Sequence, residues 1–279
     1  AAVDAGFENI SFQPEPIAAA LDYEQRIDHE AVVLVVDIGG GTSDFTVVRL
    51  GPGRMGRADR LDDVLATTGV HVGGTDFDRR LSLELLMPLL GFRHTGPDGR
   101  EVPSAVFFDL ATWHLIHWRY SAKAIREAQA LRTNYTDQTL HQRLMTVLQD
   151  RLAHTMANGV EQAKIACSQQ AGEAGGADGM SGAQRIDLSC LARDLGVPLT
   201  AEALRSDLMP PLQRVVQCAL DCAAQAGVKP DAIDALYLTG GSSALRPFQQ
   251  ALQQAFPGVP LVEGDLFGGV AAGLVYAAQ

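Results

Sequence analysis

Asp37-Ile38-Gly39-Gly40-Gly41-Thr42-Ser43-Asp44 separates two apolar stretches, Ala31 to Val36 and Asp44 to Leu50. The first is an unbroken β-branched run of the kind that forms a strand buried on both faces, and the second is strand-like as well. The glycines therefore join two strands into a hairpin. Three consecutive residues without a Cβ let other groups approach the backbone closely, so the turn suits a polyphosphate held by N–H groups. Asp37 and Asp44 place carboxylates beside it, where they can hold a hydrated Mg²⁺ or orient a water, and Thr42 adds a hydroxyl. A P-loop or a dinucleotide fingerprint would lead into a helix, whereas here a strand follows. Taken alone, the motif has a plain tight turn as its lesser alternative.

Outward from the hairpin, Leu236-Tyr237-Leu238-Thr239-Gly240-Gly241-Ser242-Ser243 reads as a buried strand that breaks at two glycines into a helix, a geometry suited to phosphate or nucleoside. Ala1 to Gly6 resembles the last turn of a helix with a glycine cap, and Phe7 to Phe12 a short strand. Glu15-Pro16 opens a small-residue helix. Residues 51 to 69 read as polar, Gly-rich loop. Thr75 followed by Asp78 resembles a capping box for a helix to about Leu90, disturbed near Pro88. Gly91 to Pro103 reads as loop and Ala105 to about Gln170 as helical almost throughout. Ala171 to Ala183 reads as a glycine-rich loop and Gln184 to Leu191 as a strand. Helices are predicted over Thr200 to Gly227, Ala244 to Phe256 and from Gly268 to the end, with a strand over Ile233 to Thr239.

A formal net charge of -11 over 279 residues argues against a nucleic-acid or anionic-membrane partner, which would require concentrated Lys and Arg. No apolar run approaches the ~20 residues of a membrane helix. The four cysteines show no CxxC spacing, and a reducing, cytoplasmic setting is expected. Cys218 and Cys222, at i and i+4, read as a buried helix face. His114 and His117, flanked by Trp113 and Trp118, read as aromatic packing instead of a metal pair.

The order of motifs carries more than any one of them. Glu15-Pro16-Ile17-Ala18-Ala19-Ala20-Leu21, Asp37 to Asp44, Gly73-Gly74-Thr75-Asp76-Phe77-Asp78 and Gly240-Gly241-Ser242-Ser243 together resemble the seventy-kilodalton heat-shock chaperones, the DnaK-like Hsp70 family. In that family these are the first connecting motif, the second phosphate motif, a segment near the hinge and the adenosine motif. Glu161-Gln162-Ala163-Lys164 with Ser168 resembles the helix that touches the nucleoside, with Glu161 and Lys164 on one face at i, i+3.

The resemblance implies an α/β fold of the actin-like ATPase, ribonuclease-H-like class, a nucleotide-binding lobe with a mostly helical inserted subdomain. The implied division is residues 1–30 as a remnant of the first lobe, 31–72 and 208–262 as the second lobe, 73–207 as the insertion and 263–279 as a helix returning to the first lobe. It further implies ATP or ADP with Mg²⁺ as cofactors. Asp37, Glu15, Thr42 and Asp44 become the catalytic set, with Asp37 and Asp44 holding the metal through water. Gly39, Gly40, Gly41, Thr42, Gly73, Gly74, Glu161, Lys164, Ser168, Gly240, Gly241 and Ser242 become the nucleotide-binding set. A protein client or co-chaperone is the implied partner.

Two departures from the family pattern bear on function. Ile165 and Ala244 stand where the chaperones place two arginines around the adenine. The family's first phosphate hairpin and catalytic lysine lie far upstream of the connecting motif, near which this chain opens. The expectation is a fragment of a slow Mg-ATPase, inactive itself and without a peptide-binding domain. A sugar or acid kinase of the same superfamily, an actin-like filament protein and a nucleotide-free scaffold are the rival readings.

Overall fold

The structure, a computed structural model, describes residues 1–8, 10, 13, 15–55, 57, 60–173, 183–264 and 268–277. In chain order the elements are α1 (Glu15–Glu24), β1 (Ala31–Ile38), β2 (Ser43–Leu50), β3 (Val64–Val70), α2 (Gly74–Leu81), α3 (Ala105–Leu110), α4 (Ala122–Ala130), α5 (Gln138–Gln149), α6 (Ala153–Glu173), β4 (Gln184–Asp187), β5 (Gly196–Leu199), α7 (Ala201–Gln225), β6 (Ala235–Thr239), α8 (Arg246–Ala255), β7 (Leu261–Glu263) and α9 (Gly269–Ala277). They divide into a sheet unit (Ala1–His71, Arg214–Ala244, Phe248–Gln279) and a helical unit (Val72–Gln213, Leu245–Pro247).

The sheet unit carries five strands in the order β3-β2-β1-β6-β7. β1 and β2 pair antiparallel, as do β2 and β3, while β6 runs parallel to both β1 and β7. Period-two alternation sends Ala31, Val33, Val35, Val48, Leu50, Ala235 and Tyr237 to one face, where they pack with Ile17, Ala19, Ala20 and Leu21 of α1. Each valine, leucine or isoleucine among them buried in full contributes about 1.5–3 kcal/mol, and each alanine less. Leu34, Val36, Phe45, Leu236 and Leu238, at the alternate positions, are buried as well. Behind Phe45, the Cys222 thiol of α7 lies 3.4 Å from that residue's carbonyl oxygen. Cys222 is thus part of a packed helix face.

The close approach of α1 and α9 rests on small residues. Ala18, Ala19 and Ala20 are wholly buried, and a Cβ at Gly273 would overlap the Ala18 carbonyl. At the C-terminal end of α1, fully buried Glu24 receives the Arg60 guanidinium in two hydrogen bonds of 2.8 and 2.9 Å and the Gly51 N–H at 2.9 Å. Asp63 bridges Arg60 to Arg54, which also pairs with Glu30.

In the helical unit, α2 does not run smoothly to Leu90. A π-helical turn (Ser82–Leu86) and a 3₁₀ turn containing Pro88 (Met87–Leu90) follow it. The N-cap of α2 is Gly73, whose N–H is accepted by the Asp76 carboxylate at 3.0 Å, so the capping group lies two residues upstream of the Thr75/Asp78 expectation. From 105 to 170 the chain is indeed mostly helical, with α4 and α5 capped by the Ser121 and Asp137 side chains.

Three strands escape the sequence reading. β3 begins inside a stretch read as loop, and β5 and β7 have no counterpart in that reading. β3 and β7 are the two edges of the sheet, where one side is solvated and a continuous apolar run is not needed. β4 stops at Asp187, short of Leu191. The Gly6 ending holds, with φ at 91° and the Phe7 N–H donating to the Ala2 carbonyl at 3.2 Å. The strand read over Phe7 to Phe12, most of the loop read over Ala171 to Ala183 and the last two residues lie wholly or partly outside the described residues.

Candidate functional site

The β1–β2 register sets the site. Asp37 faces Asp44, Ile38 faces Ser43, and the four residues Gly39 to Thr42 close the turn, with the Gly39 N–H donating to the Thr42 carbonyl at 3.0 Å. Asp37 also pairs with Thr239 of parallel β6. Counting in twos from Val33 and Val35, Asp37 falls on the face that α1 covers, one step beyond the apolar cluster. The same alternation carries Asp44 there from Val48 and Thr239 there from Tyr237. Glu15, in the first turn of α1, completes the rim.

The result is a cleft of about 340 Å³ lined by Glu15, Asp37, Gly39, Thr42, Asp44, Thr239, Gly240, Gly241 and Val270. Burial, followed by the charges of Glu15 and Asp44, pushes the Asp37 carboxyl up to about 6. No Lys or Arg lines the cleft, and among the described residues none pairs with these three acids.

Two kinds of glycine meet here. Gly240 has φ at 78°, and a Cβ on it would lie 2.5 Å from the Asp37 carboxylate and from the Ile38 carbonyl, so backbone and space both demand glycine. Gly39, Gly40 and Gly41 are not among the left-handed residues. A Cβ on Gly41 would meet nothing within 4 Å, and one on Gly39 only the Thr42 carbonyl at 3.8 Å. Neither backbone nor space demands glycine at Gly39 or Gly41. Their effect is to keep the turn clear of side chains beside three carboxylates.

That turn suits the phosphate end of a nucleotide. The acids suit a divalent cation held through water, because no three His, Cys, Asp or Glu side chains among the described residues converge to ligate an ion directly.

Of the sequence-predicted residues, the structure gathers Glu15, Asp37, Gly39, Thr42, Asp44, Gly240 and Gly241 around one cleft, with Gly40 and Gly41 on its turn. Ser242 belongs to a four-residue 3₁₀ turn, Gly241–Ala244, that separates β6 from α8, so the two glycines do not open the helix directly. Gly73 and Gly74 start α2, while Glu161, Lys164 and Ser168 lie on α6, all in the helical unit.

Lys164 is committed to Asp78 in an ion pair of 2.8 Å, and the Ser168 hydroxyl accepts the Arg246 N–H at 2.8 Å. Thr239, Val270 and Gly69 were not anticipated. Gly69 pairs with Asp44, and a Cβ there would stand 2.6 Å from the Asp44 carboxylate. The strand register was the signal for Thr239 and Gly69, but it is visible only once β3 and β6 are placed. Trp113 packs edge-on to His154 and His117 against Trp118.

The five-stranded mixed sheet with helical layers makes this a mixed α/β protein, in keeping with the actin-like ATPase class. Residues 1–89 match the family model described as Hsp70 protein. Over 83 residues, 29% of this chain, it is 42% identical to the chaperone protein DnaK of Thermosipho melanesiensis and to that of Thermotoga maritima. Over 78 residues it is 40% identical to the chloroplastic stromal 70 kDa heat shock-related protein of Spinacia oleracea. The matched stretch spans 13% of each DnaK and 12% of the spinach protein. Over this N-terminal part the chain is similar to Hsp70-family proteins.

Proposed function

We propose that the sheet unit grips the phosphate end of ATP or ADP with a hydrated Mg²⁺, as part of a chaperone-like ATPase. The observation that carries this reading is the triple-glycine turn, in which neither Gly39 nor Gly41 is demanded by backbone or space, yet which keeps the backbone clear of side chains beside three carboxylates that, among the described residues, no Lys or Arg pairs with. The matched residues 1–89 include the Glu15, Asp37 to Asp44 and Gly73 to Asp78 motifs.

In this reading Thr42 and the glycines bind the terminal phosphates. Glu15 and Asp44 order the water shell of the ion. Mg²⁺, when bound, neutralises the phosphate oxygens and the acids together. Asp37, with its carboxyl near 6 before any ligand arrives, orients a water at the γ-phosphate and accepts its proton at a carboxylate oxygen. The domain division at 30, 72, 207 and 262, a cytoplasmic setting and a client or co-chaperone partner belong to the same proposal. The nucleoside end is not carried over to Lys164 and Ser168, whose polar groups are engaged within the helical unit.

Calorimetry with Mg-ADP and Mg-ATP tests the reading on the intact chain and on Gly41→Val. The valine fits the fold, since nothing lies near its Cβ, but it covers the turn. Binding by the parent chain that Gly41→Val removes, with unchanged circular dichroism, is the expected outcome. Equal binding by both, or none by the parent chain, defeats the proposal.

A further inference from the structure

The helical unit holds a second cavity, of about 260 Å³, with chemistry unlike that of the cleft. Its walls follow from helix periodicity. His154, Ala157, Asn158 and Glu161 stand at i, i+3, i+4 and i+7 on α6, and Thr75, Asp78 and Ser82 at i, i+3 and i+7 along α2 and the π turn that continues it. Trp113 forms a further wall. Its ring meets that of His154 edge to face, with centroids 5.0 Å apart and an interplanar angle of 85°, so the two make an aromatic corner. Trp113 remains 57% exposed, which leaves the indole accessible.

The lining contains Asp78 and Glu161 but no Lys or Arg. Lys164 neutralises Asp78 from outside the lining, and among the described residues Glu161 has no cationic partner. Even with Lys164 present, burial holds the Asp78 carboxyl above the usual range, and the Glu161 charge adds to that rise. The site is short of positive charge. Glu161 is exposed, so its charge is open to a cation that enters from solvent, while an anion is repelled here.

From the aromatic corner and the unpaired carboxylate we infer that this cavity binds a small organic ammonium group, with its positive charge over the Trp113 face and against Glu161. The ammonium belongs either to a free amine or to a lysine side chain, and both present the same chemistry. The inference does not rest on the phosphate-binding reading, because the cavity shares no residue with the cleft; of the residues that the resemblance assigns to nucleotide, Glu161 alone lines it.

Trp113 and Trp118 are the chain's two tryptophans, so Trp118→Phe leaves Trp113 as its only indole fluorophore. In that variant n-butylammonium should change the fluorescence saturably, and isosteric 1-butanol should not. Glu161→Gln should weaken n-butylammonium about two- to fivefold with the fold intact by circular dichroism. Trp113→Leu, followed by calorimetry in the Trp118-containing chain, should weaken it by about threefold. Tighter binding of n-butylammonium than of an Ala-Lys-Ala peptide identifies a free amine as ligand, and the reverse a lysine side chain. The inference is overturned if 1-butanol binds as well as n-butylammonium, if no saturable change appears at high millimolar amine, or if Glu161→Gln leaves the affinity unchanged.

Discussion

Helix α1 presents a glutamate at each end, and the two ends are treated oppositely. Glu24 is wholly buried and met by a bidentate arginine and a backbone N–H, and the neighbouring Asp63 is shared by two arginines. Glu15 faces Asp37 and Asp44 across a cleft that contains no cationic side chain, and Asp37 responds by holding its proton up to about 6. Where the fold itself must bury acid, it supplies guanidinium. Where it supplies none, the proposed function has the acids meet a charge that arrives from outside. The contrast predicts that damage to the Glu24 end is structural, while relief at the Glu15 end is stabilising but removes function.

The largest effect should come from Arg60→Ala. It strands Glu24, which has almost no exposure, and should lower unfolding stability by about 3–5 kcal/mol in a urea titration. A loss below about 1 kcal/mol would show that the network contributes little and would remove the contrast. Replacing Glu24 and Arg60 together with Gln and Met should recover most of the loss.

Gly240→Ala comes next. The left-handed backbone and the contact with Asp37 should together cost about 2 kcal/mol or more, read as a lower melting temperature. Gly41→Ala, where neither constraint applies, should be close to neutral.

Asp37→Asn should act in the opposite direction. The folded carboxyl titrates at about 6 and the unfolded one near the ordinary aspartate value of 3.8, so the native state holds the proton more tightly. Stability from this group is full below about pH 4 and is lost as pH rises through about 6. After allowance for solvent screening, the asparagine variant should be about 1–2 kcal/mol more stable than the parent at pH 8 and no more stable below about pH 4. A constant difference across that range would mean that charge crowding is not the cause. Smallest of all, Thr42→Ala at an exposed position should change stability by less than about 0.5 kcal/mol, so any loss of nucleotide affinity in it is a binding effect.

These two ends were not equally legible in the sequence. The Glu15 end could be read because its signals are local. An apolar β-branched run, three glycines and flanking acids lie within a few residues, and the hairpin register follows from the run itself. The Glu24 end was invisible because Arg60 is 36 positions away, in a segment that reads as loop. Sheet edges were lost for a related reason, since no residue of β3 or β7 is fully buried and neither strand carries a continuous apolar pattern. On α6, spacing correctly put Glu161 and Lys164 together, but it could not tell that Lys164 turns to Asp78 while Glu161 lines a cavity with Trp113. Partners brought together by the tertiary fold leave no trace in local spacing.

The most direct test follows backbone amide resonances while Mg-ADP is added to the intact chain. The account predicts saturable shifts at Gly39 to Thr42 and at Gly240 and Gly241, none at Gly51 and Arg60, and loss of all of them when Mg²⁺ is chelated. Shifts as large at the Glu24 end as at the hairpin, or shifts that persist without Mg²⁺, would contradict it.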